Sequence, residues 1–187
     1  MKRAVSVVLF YIFCLFVYAQ PEVPRFSDMD WGIDKNAVKT RMAERGYIFQ
    51  SDIGNEYSLF SGNIFGSRAV IAMRYIDKGL ARIVIAIKPP EVDLISSYQN
   101  AVRELNNKYG ACENYDKFSY PYTMGDGKEV LAISIGKGSL LSVWNIISNN
   151  MTYSIAALVE QDMKLQIWYE SPKYTEYMEK NAAENDL

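Results

Sequence analysis

An α+β fold built on antiparallel sheet is the class this sequence predicts, and three observations predict it. Apolar and polar residues alternate in short runs, as where Ala69, Ile71, Met73 and Tyr75 interleave with Arg68 and Arg74. A helical pattern stands ahead of each set of such runs, first near 34–46 and again near 92–108. Within each set the runs follow one another across short Gly, Asn and Asp signals, which suits hairpin-connected strands rather than parallel crossovers. The expected architecture is two helix-plus-antiparallel-meander units, a helix then about four strands, twice. These pseudo-repeated halves, about 31–88 and 90–170, form one compact exported domain at 20–170, with a polar tail at 171–187.

The first helix is set by its start. Asp34 offers a carboxylate N-cap, Ile33 and Val38 form a hydrophobic staple, and Gly46 can take the left-handed conformation that ends a helix. Strands are expected at Tyr47–Gln50, Glu56–Ser61, Arg68–Ile76 and Leu80–Lys88, the last two joined by a hairpin at Asp77-Lys78-Gly79. Ile83, Ile85 and Ile87 alternate there with Arg82 and Lys88, so one face is core and the other faces solvent. Pro89-Pro90 stops the sheet. Leu94, Ile95, Tyr98, Val102 and Leu105 then recur at helical spacing from about Val92 to Lys108, and Gly110 stands just beyond. Ala111–Lys128 reads as a long loop ending in a hairpin turn at Gly125-Asp126-Gly127-Lys128. Four more strands are expected at Glu129–Ile135, Leu140–Ile147, Thr152–Val159 and Lys164–Glu170, the last ended by Ser171-Pro172 because proline cannot donate to a ladder.

The chain begins with the pattern of a secretory signal. Lys2 and Arg3 precede an uncharged, mostly apolar run to Ala19, and Val17-Tyr18-Ala19 fits a signal-peptidase site. The run is shorter than the roughly 20 residues of a comfortable membrane span, so a cleaved leader at 1–19 is expected and an uncleaved membrane anchor is the alternative. Removing it leaves 168 residues and moves the formal charge from −2 to −4. A mildly acidic chain argues against general nucleic-acid binding, which needs clustered positive charge. With no histidine, Ser–His and Cys–His catalysis and His-ligated metal sites are ruled out for this chain alone. Cys112 is the one cysteine left after the leader, so no internal disulfide forms; a periplasmic or secreted location without disulfides suits a bacterial envelope.

Asp30-Trp31-Gly32 before a capped helix, Leu105-Asn106-Asn107-Lys108-Tyr109-Gly110, and Trp144 in a late strand together resemble a group of small exported bacterial proteins of unknown function. The helix-then-meander outline is also similar to the β-lactamase-inhibitor-protein type of fold, which implies a sheet face that binds another protein. Ala111 replaces the proline often found after the Tyr-Gly pair in that group, and the disulfides of the inhibitor protein have no counterpart here. No inhibitory activity follows from the resemblance.

Three constellations are candidates for binding. Arg68, Arg74, Arg82 and Lys88 share the outer face of one hairpin, either as a stripe for an anionic partner or lipid headgroup or as an ordinary solvated sheet face. Trp144 and Trp168 form either an exposed aromatic platform or part of the core. Tyr115, Tyr120 and Tyr122 lie in the long loop, which either contacts proteins or sugars or packs back on the domain. Asp28, Asp30 and Asp34 fail the spacing of a calcium loop, so no metal is expected, and no cofactor motif is present. The expected function is a non-catalytic domain of the periplasm or cell envelope that binds a protein or another envelope component. An Asp/Glu-dependent hydrolase of cell-wall glycans and a membrane-anchored structural protein are the alternatives.

Overall fold

The computed structural model describes residues 22–185. The expected signal peptide, its cleavage after Ala19 and the anchor alternative lie outside the described residues. Among the described residues, no helix is long and apolar enough to cross a membrane.

The chain folds around one antiparallel sheet, in the α+β class. The first half supplies β1 (Ile48–Ile53), β2 (Tyr57–Ile64), β3 (Ser67–Ile76) and β4 (Gly79–Ile87). The second supplies the two-residue strands β5 (Glu113–Asn114) and β6 (Lys117–Phe118), then β7 (Gly138–Ser148), β8 (Met151–Val159) and β9 (Leu165–Glu170). The order across the sheet is β1-β2-β3-β4-β9-β8-β7-β5, with β6 also paired to β7. The halves therefore join through their last strands, from Arg82 opposite Glu170 to Ile87 opposite Leu165. Two-residue turns at Phe65-Gly66, Asp77-Lys78 and Asn149-Asn150 close three of the hairpins. Both residues of each turn have positive φ, the mirror-image geometry whose twist matches that of paired strands.

Two long helices cover one face of this sheet. In α1 (Lys35–Glu44) the Asp34 carboxylate accepts N–H bonds from Asn36 at 2.8 Å and Ala37 at 3.1 Å, and Gly46 follows with φ +79°. Val38 and Met42 point from it into the core. A turn of 3-10 helix at Glu91–Asp93 leads into α2 (Leu94–Tyr109), which buries Leu94, Tyr98, Ala101 and Leu105. Against them the sheet sets Phe60, Ile71, Met73, Ile83, Ile85 and Ile155. Fully burying such a side chain contributes about 1.5–3 kcal/mol, so tertiary packing rather than helix propensity holds both helices in place.

The Trp31-Gly32 segment is stitched to the β3–β4 turn. The Gly32 N–H donates to Leu80 O and the Leu80 N–H to Ile33 O, both at 2.9 Å. A Cβ at Gly79 would stand 3.0 Å from the Gly32 carbonyl, so this backbone crossing needs glycine. The nearby acids are spent on ion pairs and capping: Asp30 pairs with Arg25 at 3.0 Å, Asp28 with Arg45, and Asp34 caps α1.

The second half departs from expectation in one segment. Glu129–Ile135 is not a strand; it forms the short helix α3 (Glu129–Ser134), and the Gly125–Lys128 turn leads into that helix instead of closing a hairpin. Val130-Leu131-Ala132-Ile133 is apolar at consecutive positions, which erases both the strand and the helix period. Local bonds decide the matter. Glu129 accepts the Gly125 N–H at 2.6 Å, and Asp126 accepts those of Thr123 and Lys128 at 3.0 and 2.8 Å. Those two backbone donors also hold the Asp126 carboxyl below the usual carboxylate range. The second half thus carries three long strands, with β5 and β6 pinning the long loop to β7.

Across α1 and the edge strand β1, Lys39 donates to Asp52 at 2.7 Å and the Ser58 hydroxyl donates to the same carboxylate at 2.7 Å. The Lys39 bond is the main cause of an Asp52 pKa below the ordinary value. A depressed carboxylate stabilises the fold above its unfolded pKa, near about 3.9, and loses that contribution as pH falls through the folded value. Asp52→Asn should therefore flatten the acid side of the stability–pH curve below about pH 4 while lowering stability at neutral pH, read from urea midpoints across pH. An unchanged acid slope would show that the pair contributes nothing.

Candidate functional site

Strand alternation sorts the outer face of the sheet, opposite α1 and α2, into rows. One row runs through Tyr57, Arg74, Arg82 and Glu170. The next holds Leu59, Ala72, Val84, Trp168, Ala156 and Val143, and the one beyond holds Val70, Ala86, Gln166, Leu158 and Leu141. Both middle rows are mostly apolar. One register step past Ala69, Ile87 and Leu165 come Arg68, Lys88 and Lys164.

The first row is capped by helix α4 (Pro172–Asn185), formed by the polar tail. A β-bulge leaves Ala81 as an extra residue in β4, and its carbonyl accepts from Ser171 N at 3.0 Å and Ser171 Oγ at 2.8 Å, fixing where α4 begins. Tyr174, buried, then receives hydrogen bonds on its hydroxyl from Arg82 at 3.1 Å and Arg74 at 3.4 Å. The Arg74 guanidinium also lies 5.4, 5.3 and 5.0 Å from the rings of Tyr57, Tyr174 and Tyr177. Arg82 sits 4.4 Å over Trp168 and 4.9 Å from Tyr174, with Nε 2.8 Å from Glu170. That contact is an ion pair by distance without the alignment of an N–H···O bond. Burial raises the Glu170 pKa, and the Arg82 charge opposes that rise.

The expected four-cation stripe is therefore divided. Arg74 and Arg82 are enclosed by aromatic rings and Glu170, and they are structural cations under α4. Arg68 and Lys88 are exposed, and among the described residues neither enters an ion pair. With Lys164 they line a concavity of about 460 Å³ whose floor is Val70, 51% exposed, and Ala86. Lys164 does have a partner, Asp162 at 3.0 Å, but both side chains are well exposed and such pairs are worth about 0–1 kcal/mol.

The two tryptophans do not form a platform. Trp144 pairs with Ile155 and so with Tyr169, whereas Trp168 pairs with Ala156 and so with Val143; the two indoles lie on opposite faces. Trp144 is core, 2% exposed, donating from Nε1 to Gly110 O at 3.0 Å and Asn106 Oδ1 at 3.1 Å. Trp168 is half-buried on the outer face, its indole N–H donating to Gln166 at 3.1 Å. In the long loop, half-buried Phe118 packs on Gly138 and anchors the chain, while Tyr120 is 93% exposed. Tyr115 is about half exposed and donates to Glu113, and Tyr122 is half-buried.

A second cleft opens between α2, the long loop and β7. There the Tyr98 hydroxyl lies 2.7 Å from Ser142 Oγ and 3.4 Å from Asp116, and Ser142 donates to Asn114 Oδ1 at 2.7 Å. Burial pushes the Tyr98 phenol well above its usual pKa. Free Cys112 belongs to the same network, its N–H donating to Asn106 Oδ1 at 3.1 Å and its thiol to Asn114 Oδ1 at 3.4 Å.

Comparison with protein-family models, with curated proteins and with solved structures gives no match. Sequence reasoning passed over Tyr174 and Tyr177, although their spacing with Asn181 is that of one helix face. It also left Lys164 and the asparagines of the cleft unweighted, because only the fold brings them beside their neighbours.

Trp144→Ala should cost about 3–5 kcal/mol, since it empties a buried site and removes the indole donor from the Gly110 carbonyl. Trp168→Ala should cost distinctly less. Equal losses in chemical unfolding would contradict their placement on opposite faces.

Proposed function

We propose that the protein is an exported, non-catalytic binding domain of the periplasm or cell envelope. Its outer sheet face holds an anionic, partly apolar envelope component, and a phosphate-bearing lipid is the chemistry that fits. One observation carries the reading: Arg68 in β3, Lys88 just after β4 and Lys164 just before β9 line one concavity around the floor made by Val70 and Ala86. Like charges gathered around one concavity repel, so the cluster costs stability until an anion neutralises it. The other cations of this face are enclosed from within the fold, Arg82 by Glu170 and both Arg74 and Arg82 by aromatic rings of α4. Arginine presents a fork suited to phosphate oxygens, and the two lysines add point charges. The exposed Val70 gives the apolar part of an amphiphile a surface to leave water. On a chain of net charge −4 after leader removal, the patch is a local reversal of sign rather than part of a general basic field.

This reading predicts opposite effects from one substitution. Lys88→Glu puts a carboxylate between Arg68 and Lys164, so the free protein should gain about 0.2–1 kcal/mol. Binding to vesicles containing phosphatidylglycerol should fall at least about tenfold, a change equivalent to about 1.4 kcal/mol, with none to phosphatidylcholine alone. Thermal unfolding and vesicle co-sedimentation read the two effects. Retained binding by the variant, or equal binding to both vesicle types, rules the proposal out.

A further inference from the structure

We infer that the cleft between α2 and β7 is a second binding site, one that takes a neutral saccharide. It lies on the helix-covered side of the sheet and is independent of the outer-face reading. Its volume is about 340 Å³, within the range of small-molecule pockets of roughly 300–1,000 Å³. Its lining is rich in amides, with Gln99, Asn106, Asn107 and Asn114 beside Tyr98 and Ser142. The charged lining residues, Arg103 and Asp116, are of opposite sign, so the site carries no net charge to select an ion.

The internal bonds fix which end of each polar group remains for a ligand. Asn106 Oδ1 already accepts from Trp144 Nε1 and from the Cys112 N–H, both at 3.1 Å. Asn114 Oδ1 accepts from Ser142 Oγ at 2.7 Å. With both acceptor ends occupied inside the fold, each amide keeps its two N–H donors. With the Ser142 proton given to Asn114, the Tyr98 proton goes to Ser142 Oγ; Asp116 Oδ1 accepts from the Leu141 N–H at 2.9 Å, which leaves Oδ2 as an acceptor. Gln99 and Asn107, exposed on α2, make no side-chain bond among the described residues and add both donors and acceptors. Fixed donors beside a fixed acceptor match a ligand whose every polar group both donates and accepts, and that is the character of sugar hydroxyls. Val102 and Met124, in the same lining, offer apolar surface to the C–H face of a ring. Because the network holds these rotamers without a ligand, little ordering is needed on binding.

The test uses isotope-labelled protein recovered from cells expressing the whole coding sequence. Maltotriose, cellotriose and triacetylchitotriose are titrated separately while the Trp144 indole N–H and the Asn106 and Asn114 side-chain amide signals are followed. The inference expects at least one trisaccharide to shift these signals saturably. It also expects Gln99→Ala combined with Asn107→Ala to weaken that binding about tenfold. Both replacements fall on the exposed face of a helix and raise its propensity, so lost binding would not reflect lost folding. Asn114→Ala should abolish binding, with the fold checked by the amide spectrum. The inference is overturned if none of the three sugars shifts the signals, or if the double variant binds as well as the parent.

Discussion

The antiparallel pairing of β4 with β9 is the constraint on which the rest of this structure depends. It joins the two halves into one sheet and turns two strand edges that would otherwise be open into a central ladder. It also fixes which side chains share a face. A slip of one residue would exchange every inward and outward position of β9, sending Trp168 and Glu170 into the core and Ile167 and Tyr169 out of it. The burial of Ile83, Ile85, Leu165 and Ile167 against α1 and α2 penalises that slip heavily.

Once the register is set, the two faces have different fates. Helices α1 and α2 precede the long strands of their own halves and cover the same side. The other side receives only α4, which arrives last and is docked by Ser171 on Ala81 and by Tyr174 on Arg74 and Arg82. A helix of 14 residues spans about 21 Å, and Arg68, Val70 and Lys88 at the far end of β3 and β4 remain exposed. The fold thus sets Arg74 opposite Arg82 beneath α4, with Glu170 beside Arg82, and leaves Arg68 and Lys88 exposed on the same surface. The contrast between the enclosed Arg74 and Arg82 and the exposed Arg68 and Lys88, rather than the number of basic residues, is what the proposed function rests on.

Much of the fold was legible because local patterns and tertiary burial agree. The alternation of Ala69 to Tyr75 and of Ile83 to Ile87, the Asp34 cap and the Gly46 and Gly110 ends all state their structure within a few residues. Glu129–Ile135 was not legible, since a fully apolar run has no period and its helix is decided by Glu129 and Asp126 bonding the preceding turn. The candidate site was only half legible. The outward phase of Arg68, Arg82 and Trp168 follows from alternation, but the sequence does not say that β9 is the neighbour of β4. For that reason it placed Lys164 in no cluster and left the relative orientation of Trp144 and Trp168 open. The caging of Arg74 and Arg82 depends on Tyr174, about a hundred residues further along the chain and in a tail whose polarity gives little sign of docking.

The central claim is that this protein meets its partner with the outer face of the sheet, at the uncovered cations. Lysine acetylation footprinting with and without phosphatidylglycerol vesicles tests it most directly, because it reads each lysine separately. The account predicts slower acetylation of Lys88 and Lys164 in the presence of the vesicles, with Lys35 and Lys39 of α1, on the other side of the sheet, reacting at their original rates. Protection of Lys35 and Lys39 with Lys88 and Lys164 unaffected, or no protection at all, would contradict it.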